Sequence, residues 1–205
     1  MRIRVFLFSA ALLLGVASLQ AAALFPQCPP VGNNTGCQFL ITIGANNAVT
    51  VAADPNPPNN GPYDGVEDTL VGVLNASTGV VASLPLSSTT DIFGFDGDGP
   101  CTQSPKPASC PASGLFSPDT AGYAGPNGTF SGINPANTSG TVNFTGGLAP
   151  GQSRWFALEE SLTASQIVPG TPNPGGSVPE PATLLMLGGG LLALPALSWR
   201  RRAAR

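Results

Sequence analysis

The sequence predicts an all-β fold, a loop-rich antiparallel β-sandwich, and three observations predict it. Apolar residues come in short clusters of about four to six, rich in Val, Ile, Thr and Phe, and each is bounded by Gly, Pro, Asn or Asp. In Thr141-Val142-Asn143-Phe144-Thr145 apolar and polar side chains alternate with the period of a half-buried strand. The chain carries 26 Gly and 22 Pro, a composition that interrupts long helices and supplies frequent turns. Only 9% of residues are charged, so the competitor to a loop-rich β domain is a flexible polar coat rather than a disordered polyelectrolyte.

Residues 1–23 read as a secretory signal peptide. Arg2 and Arg4 form a basic start, 5–16 is an apolar run too short to span a bilayer, and Ala21 and Ala23 give a small-x-small cleavage pattern. The body is expected over 24–168. Its candidate strands are 38–43, 48–53, 69–74, 79–84, 91–95, 129–133, 141–145 and 154–158. Residues 69–74 are almost continuously apolar, as in a core strand. Gly44-Ala45-Asn46-Asn47 and the stretch 75–78 look like tight turns. The β pattern stops at Glu159, where 159–167 gives the one helical hint, and 169–177 reads as a Pro/Gly/Ser linker.

The C-terminal stretch 178–205 has three parts in order: Val178-Pro179-Glu180-Pro181, an uncharged apolar run at 182–199, and Arg200, Arg201 and Arg202. Eighteen helical residues reach about 27 Å, enough for one transmembrane helix. The three arginines are the membrane stop and stay on the cytoplasmic side, leaving the body outside.

Charge is segregated in the same way. All eleven carboxylates lie between residues 54 and 180, with only two cations in the middle of the chain, Lys106 and Arg154, for a net charge of −9 over 24–181. An acidic body argues against nucleic acid, which requires clustered Lys and Arg. It suits a soluble surface domain, or one that takes up divalent cations.

Cys28, Cys37, Cys101 and Cys110 fall in two pairs, each enclosing eight residues. Export places them in an oxidising compartment. Three pairings are possible, and the equal spacing favours Cys28–Cys37 with Cys101–Cys110, each loop contributing roughly 2–3 kcal/mol. A zinc site fits poorly, because the chain has no CxxC pair and no His.

The absence of His also removes the usual general base, and with it Ser-His-Asp and Cys-His catalysis. Paired carboxylates remain open to a glycoside hydrolase. Two acidic clusters draw more interest: Asp64, Glu67 and Asp68 precede one strand, and Asp96 and Asp98 follow another. Carboxylates on Gly-rich turns can converge on Ca²⁺, which takes six to eight oxygens, so these five are candidate calcium ligands. The EF-hand spacing is not met, and Asp and Gly are also what ordinary tight turns select. Asn33, Asn75, Asn127, Asn137 and Asn143 each begin an Asn-x-Ser/Thr sequon, and Tyr63, Tyr123, Trp155 and Phe156 would serve either as core or as an aromatic sugar platform.

Pro179-Glu180-Pro181, the apolar run with its Gly cluster and the terminal Arg run together resemble the PEP-CTERM sorting signal of Gram-negative bacteria. The resemblance implies an exosortase as partner, a membrane-embedded cysteine protease that cuts near the tripeptide. It further implies export, transient anchoring in the inner membrane, and then release or transfer to the cell surface, where exopolysaccharide is a further partner. Residues 63–73, 92–99 and 146–153 are similar to stretches of other exported bacterial proteins with this tail, themselves uncharacterised. The expectation is a surface or extracellular-matrix protein with a structural, biofilm-associated role, without catalytic residues and without a resident cofactor unless Ca²⁺ binds. A carbohydrate-binding or calcium-dependent adhesive module is the first alternative, and a secreted hydrolase using paired carboxylates the second.

Overall fold

Strand β3, Thr69–Asn75, is buried along nearly its whole length because both of its faces are covered. In a computed structural model, which describes residues 23–110 and 122–175, β3 is an inner strand of the first of two sheets. That sheet runs β2 (Val49–Ala53), β1 (Phe39–Ile43), β3, β7 (Ser153–Leu158). The second runs β5 (Gly128–Ser131), β6 (Ser139–Leu148), β4 (Val81–Ser87), β8 (Val168–Pro169), with β9 (Asn173–Pro174) also paired to β4.

Period-two geometry sorts the side chains of the first sheet onto two faces. Phe39, Ile41, Ile43, Val71, Val73, Phe156 and Leu158 point to a core shared with Val81, Leu84, Leu86, Val142, Phe144 and Leu148 of the second sheet, as in a sandwich. The opposite face carries Leu70, Trp155 and Ala157, which pack with Cys28, Val31, Cys37, Tyr63 and Tyr123 in a second, smaller core. A fully buried aliphatic or aromatic side chain contributes roughly 1.5–3 kcal/mol, so both layers matter. The second sheet has only one covered face, and β6 accordingly alternates: Val142 and Phe144 are buried, and Thr141 and Thr145 turn outward.

Both disulfides have the pairing that the spacing favours, Cys28–Cys37 and Cys101–Cys110. The first clamps the N-terminal segment onto the outer face of the first sheet, directly over Gly72. A methyl group on Gly72 would stand 2.5 Å from Cys37 Sγ and 3.2 Å from the Gln27 side chain. Gly72→Ala should therefore cost about 1–3 kcal/mol by overpacking, read as a lower denaturation midpoint with an unchanged slope. An unchanged midpoint would mean that the clamp does not sit on the strand this closely.

Several expectations are corrected. The pairing is not wholly antiparallel: β1 and β3 run parallel, because the chain leaves β2, crosses over residues 54–68, and returns on the other side of β1. Residues 91–95 form no strand. The amides of Ile92 and Phe93 both bond to the Asn137 carbonyl, at 3.0 and 3.1 Å, instead of to a ladder. Residues 159–167 contain turns and no helix. Residues 169–177, expected as a linker, are in part sheet, since Pro169, Asn173 and Pro174 pair with β4. Among the described residues no helix is long and apolar enough to cross a membrane. The segments 1–22 and 176–205, and with them the leader, the membrane helix at 182–199, Pro179, Glu180, Pro181, Arg200, Arg201 and Arg202, lie outside the described residues.

Candidate functional site

The antiparallel register of β3 and β7 sets Thr69 opposite Leu158. One step further along each strand brings Asp68 beside Glu159, two carboxylates at the same end of the sheet. A third segment joins them. The Glu159 amide donates to the Ile92 carbonyl at 3.2 Å, which docks residues 92–98 against the end of β7. Phe95 stacks on Tyr123 with ring centroids 4.5 Å apart, and so carries Asp96 and Asp98 to the same place.

Five carboxylates meet there. Oxygen atoms of Asp68, Asp98 and Glu159 lie within 4.8 Å of one another, as do those of Glu67, Asp96 and Glu159. Glu159 belongs to both groups. Asp68 is fully buried and Glu159 is 7% exposed, whereas Glu67 and Asp98 are half-buried and Asp96 is exposed. Tyr63 donates its hydroxyl proton to Asp68, and Tyr123 donates to Asp98 Oδ1 at 2.7 Å. The second disulfide steadies this wall: Gly122, next to Tyr123, is so close to Cys101 Sγ that a methyl group there would stand 2.2 Å from it.

Asp64, a candidate ligand by sequence, has another task. Its Oδ1 accepts the amides of Val66, Glu67 and Asp68 at 3.1, 3.1 and 3.0 Å, so it shapes the turn that presents Glu67 and Asp68. The structure thus brings together four of the five predicted acids. It adds Glu159, Tyr63 and Tyr123, which sequence reasoning did not assign to the site.

Burial dominates the electrostatics. It raises the Asp68 carboxyl to about 8; the Tyr63 hydrogen bond opposes this, and Glu159, Asp98 and Asp64 reinforce it. Burial likewise raises Glu159 to about 7, with the Tyr123 hydroxyl opposing and Asp96, Asp98 and Glu67 reinforcing. Asp98 is raised by burial against its bond from Tyr123, with Asp96 adding to the rise. Both tyrosines are pushed far up, first by burial, and remain protonated donors. A cluster of this kind holds either extra protons or a hard cation near neutral pH.

An open groove lies to one side of it, with a volume of about 640 Å³. Phe93, Phe95, Phe130 and Ile133 line it, and among the described residues no carboxylate does. The four residues considered for a sugar platform are core instead: Tyr63, Tyr123 and Phe156 are fully buried and Trp155 is 7% exposed. Asn75 is also sealed. Its side-chain amide donates to the Gly79 and Leu148 carbonyls at 2.8 and 2.7 Å, so this sequon is a turn device.

Comparison with known proteins decides the sorting question. Residues 177–202 match the family model of the PEP-CTERM protein-sorting motif. The chain carries a PEP-CTERM sorting signal. It is therefore an exported protein, directed across the inner membrane and to an exosortase for processing to the cell surface. No curated protein and no solved structure matches the chain. The motif begins just beyond β9, whose last residue is Pro174, so the PEP-CTERM signal follows the β domain with almost no spacer.

Proposed function

We propose that the β domain is a non-enzymatic surface or extracellular-matrix module with a structural, biofilm-associated role, delivered by the PEP-CTERM signal and held in the inner membrane by 182–199 until processing. The observation that carries this reading is the burial of Asp68 and Glu159, the innermost pair of the acid cluster. A glycoside hydrolase keeps its two carboxyl groups about 5–9.5 Å apart across an open cleft. Asp68 and Glu159 lie closer than that, and neither is open to a sugar ring. Among the described residues that line the open groove there is no acid or base. Its aromatic lining favours the second reading, a carbohydrate-binding module, because flat rings bury well against sugar faces. Retention on a polysaccharide column without turnover distinguishes that module from a purely structural one.

The test of delivery is intact mass and fractionation of the mature protein, in cells with and without exosortase activity. The expected product lacks residues 1–23 and the tail beyond Pro181, and is found outside the cell. An intact tail still in the inner membrane of exosortase-active cells would replace the matrix role with that of a fixed, periplasm-facing domain.

A further inference from the structure

We propose that the carboxylate cluster is a calcium site in which Glu159 is the shared ligand, with Asp68 and Asp98 on its inner side and Glu67 and Asp96 on its outer side. The number of acids alone would not carry this. The deciding feature is Glu159, which is more than nine-tenths buried while its Oε2 has no hydrogen-bond partner. Its carboxylate is aimed at both acidic groups at once. A buried carboxylate without a partner is costly, and native structures pair such groups or place a metal on them. Among the described residues no cation supplies the countercharge here: Arg154 lies near the far end of β7 and donates to the Ser153 carbonyl at 3.0 Å, and Lys106 is exposed.

The donor set selects the kind of ion. The chain has no His, and all four Cys are in disulfides, so soft and borderline metals find no nitrogen or sulfur. Five carboxylates from irregular turns suit Ca²⁺, which accepts six to eight oxygens in flexible geometry, better than Mg²⁺, which demands a near-ideal octahedron. The supporting groups fit the role. Tyr63 donates to Asp68 and Tyr123 to Asp98, with the Tyr123 hydroxyl also 3.4 Å from Asp68 Oδ2, so the two hydroxyls hold both carboxylates in place. Asp64 fixes the turn behind Glu67 and Asp68. An ion there would tie the entry to β3, the 92–98 segment and the end of β7 into one unit. The site does not depend on the matrix reading and survives if that reading fails.

The experiment is calorimetric titration of CaCl₂ into the chelator-dialysed mature protein, with melting measured in parallel. Saturable binding is expected, with a rise in Tm of about 5–10 °C at a free Ca²⁺ about 100-fold above Kd. Glu159→Gln should lose at least about ten-fold in affinity while keeping or raising the melting temperature in chelator, because it removes a buried charge. Glu160→Gln, the same charge change one residue along at an exposed position, should bind as the parent does. Should Glu159→Gln fail to fold, Asp98→Asn gives the same comparison from the half-buried 92–98 segment. Neither heat nor a Tm shift at about 10 mM Ca²⁺, well above the weak extracellular range, would overturn the proposal. Unchanged affinity in the folded Glu159→Gln or Asp98→Asn protein would overturn the assignment equally.

Discussion

In chelator, the exported protein should melt higher at pH 5 than at pH 8, by about 6–12 °C. Most proteins of this composition would be expected to lose stability toward acid, because their carboxylates are paired in the native state. Here the direction is reversed at the cluster. Asp68 moves from 3.8 to about 8 on folding, and Glu159 from 4.5 to about 7. A carboxyl raised in the folded state binds its proton more tightly there than in the unfolded chain. Its contribution is therefore fully present below the ordinary carboxyl range and is lost as the pH rises through about 7 to 8. The acids facing the pair reinforce the rise: Asp64 and Glu67 come from the turn before β3, and Asp96 and Asp98 from the 92–98 segment, while the hydroxyls of Tyr63 and Tyr123 oppose it and stay neutral. Allowing for water around the outer acids, the difference is on the order of 3 kcal/mol. Melting curves from pH 5 to 8 in chelator test it, and a flat or rising Tm across that window would show that the cluster is not strained by its own charge.

The reading of the sheets from sequence succeeded where side-chain pattern reports burial directly. The alternation in Thr141-Val142-Asn143-Phe144-Thr145 marks a strand with one wet face, and β6 has one. The unbroken apolar run of β3 marks a strand covered twice, and the disulfide-clamped N-terminal segment supplies the second cover. The same pattern misleads at Ile92 and Phe93. These are apolar because they fill the core from an irregular segment, and their amides are satisfied by one carbonyl of a turn. β8 and β9 were illegible because each is two residues long, ends in Pro and buries no side chain, so no periodic pattern marks it. The site shows the deeper limit. Asp64 to Asp98 stood out as clustered acids in sequence, but Glu159 joins them only through the β3–β7 register, and no local pattern encodes which strands pair. Nor does sequence separate Asp64, which spends its oxygen on three amides, from Asp68, which faces the cluster.

Asp54→Ala should destabilise the domain by about 1–3 kcal/mol, because the lost carboxylate leaves the buried Asn59 side-chain amide without a partner and releases the turn at Asn56. Asp54 is 2% exposed at the end of β2. It accepts the Asn56 amide and side chain at 2.9 and 3.0 Å and the Asn59 side chain at 3.2 Å. Asn59 in turn accepts the amides of Thr35 and Gly36 at 2.8 and 3.1 Å, so the network reaches the turn before Cys37. Burial alone would raise the Asp54 carboxyl; the bonds from Asn56, Asn59 and the Leu24 amide outweigh it and lower the group below 3.8. Its stabilisation is present above that range and lost as the pH falls through it, opposite in sense to the cluster, so in chelator the protein should be most stable on the acid side, just above the range where Asp54 takes up its proton. The Leu24 contact adds a consequence for maturation. The Leu24 amide lies 3.3 Å from Asp54 Oδ2. Cleavage after Ala23 would convert that amide into an α-ammonium beside a buried carboxylate, a charge-assisted bond roughly twice as strong as a neutral one. Asp54→Asn should then cost about 1 kcal/mol more in protein beginning at Leu24 than in the same protein acetylated at its N-terminus, as read from denaturation midpoints. Equal costs in the two forms would leave Asp54 a structural acceptor only. A larger cost in the unacetylated form would mean that removing the leader itself stabilises the exported fold, since the new charge appears only after translocation, next to the acid already fixed to receive it.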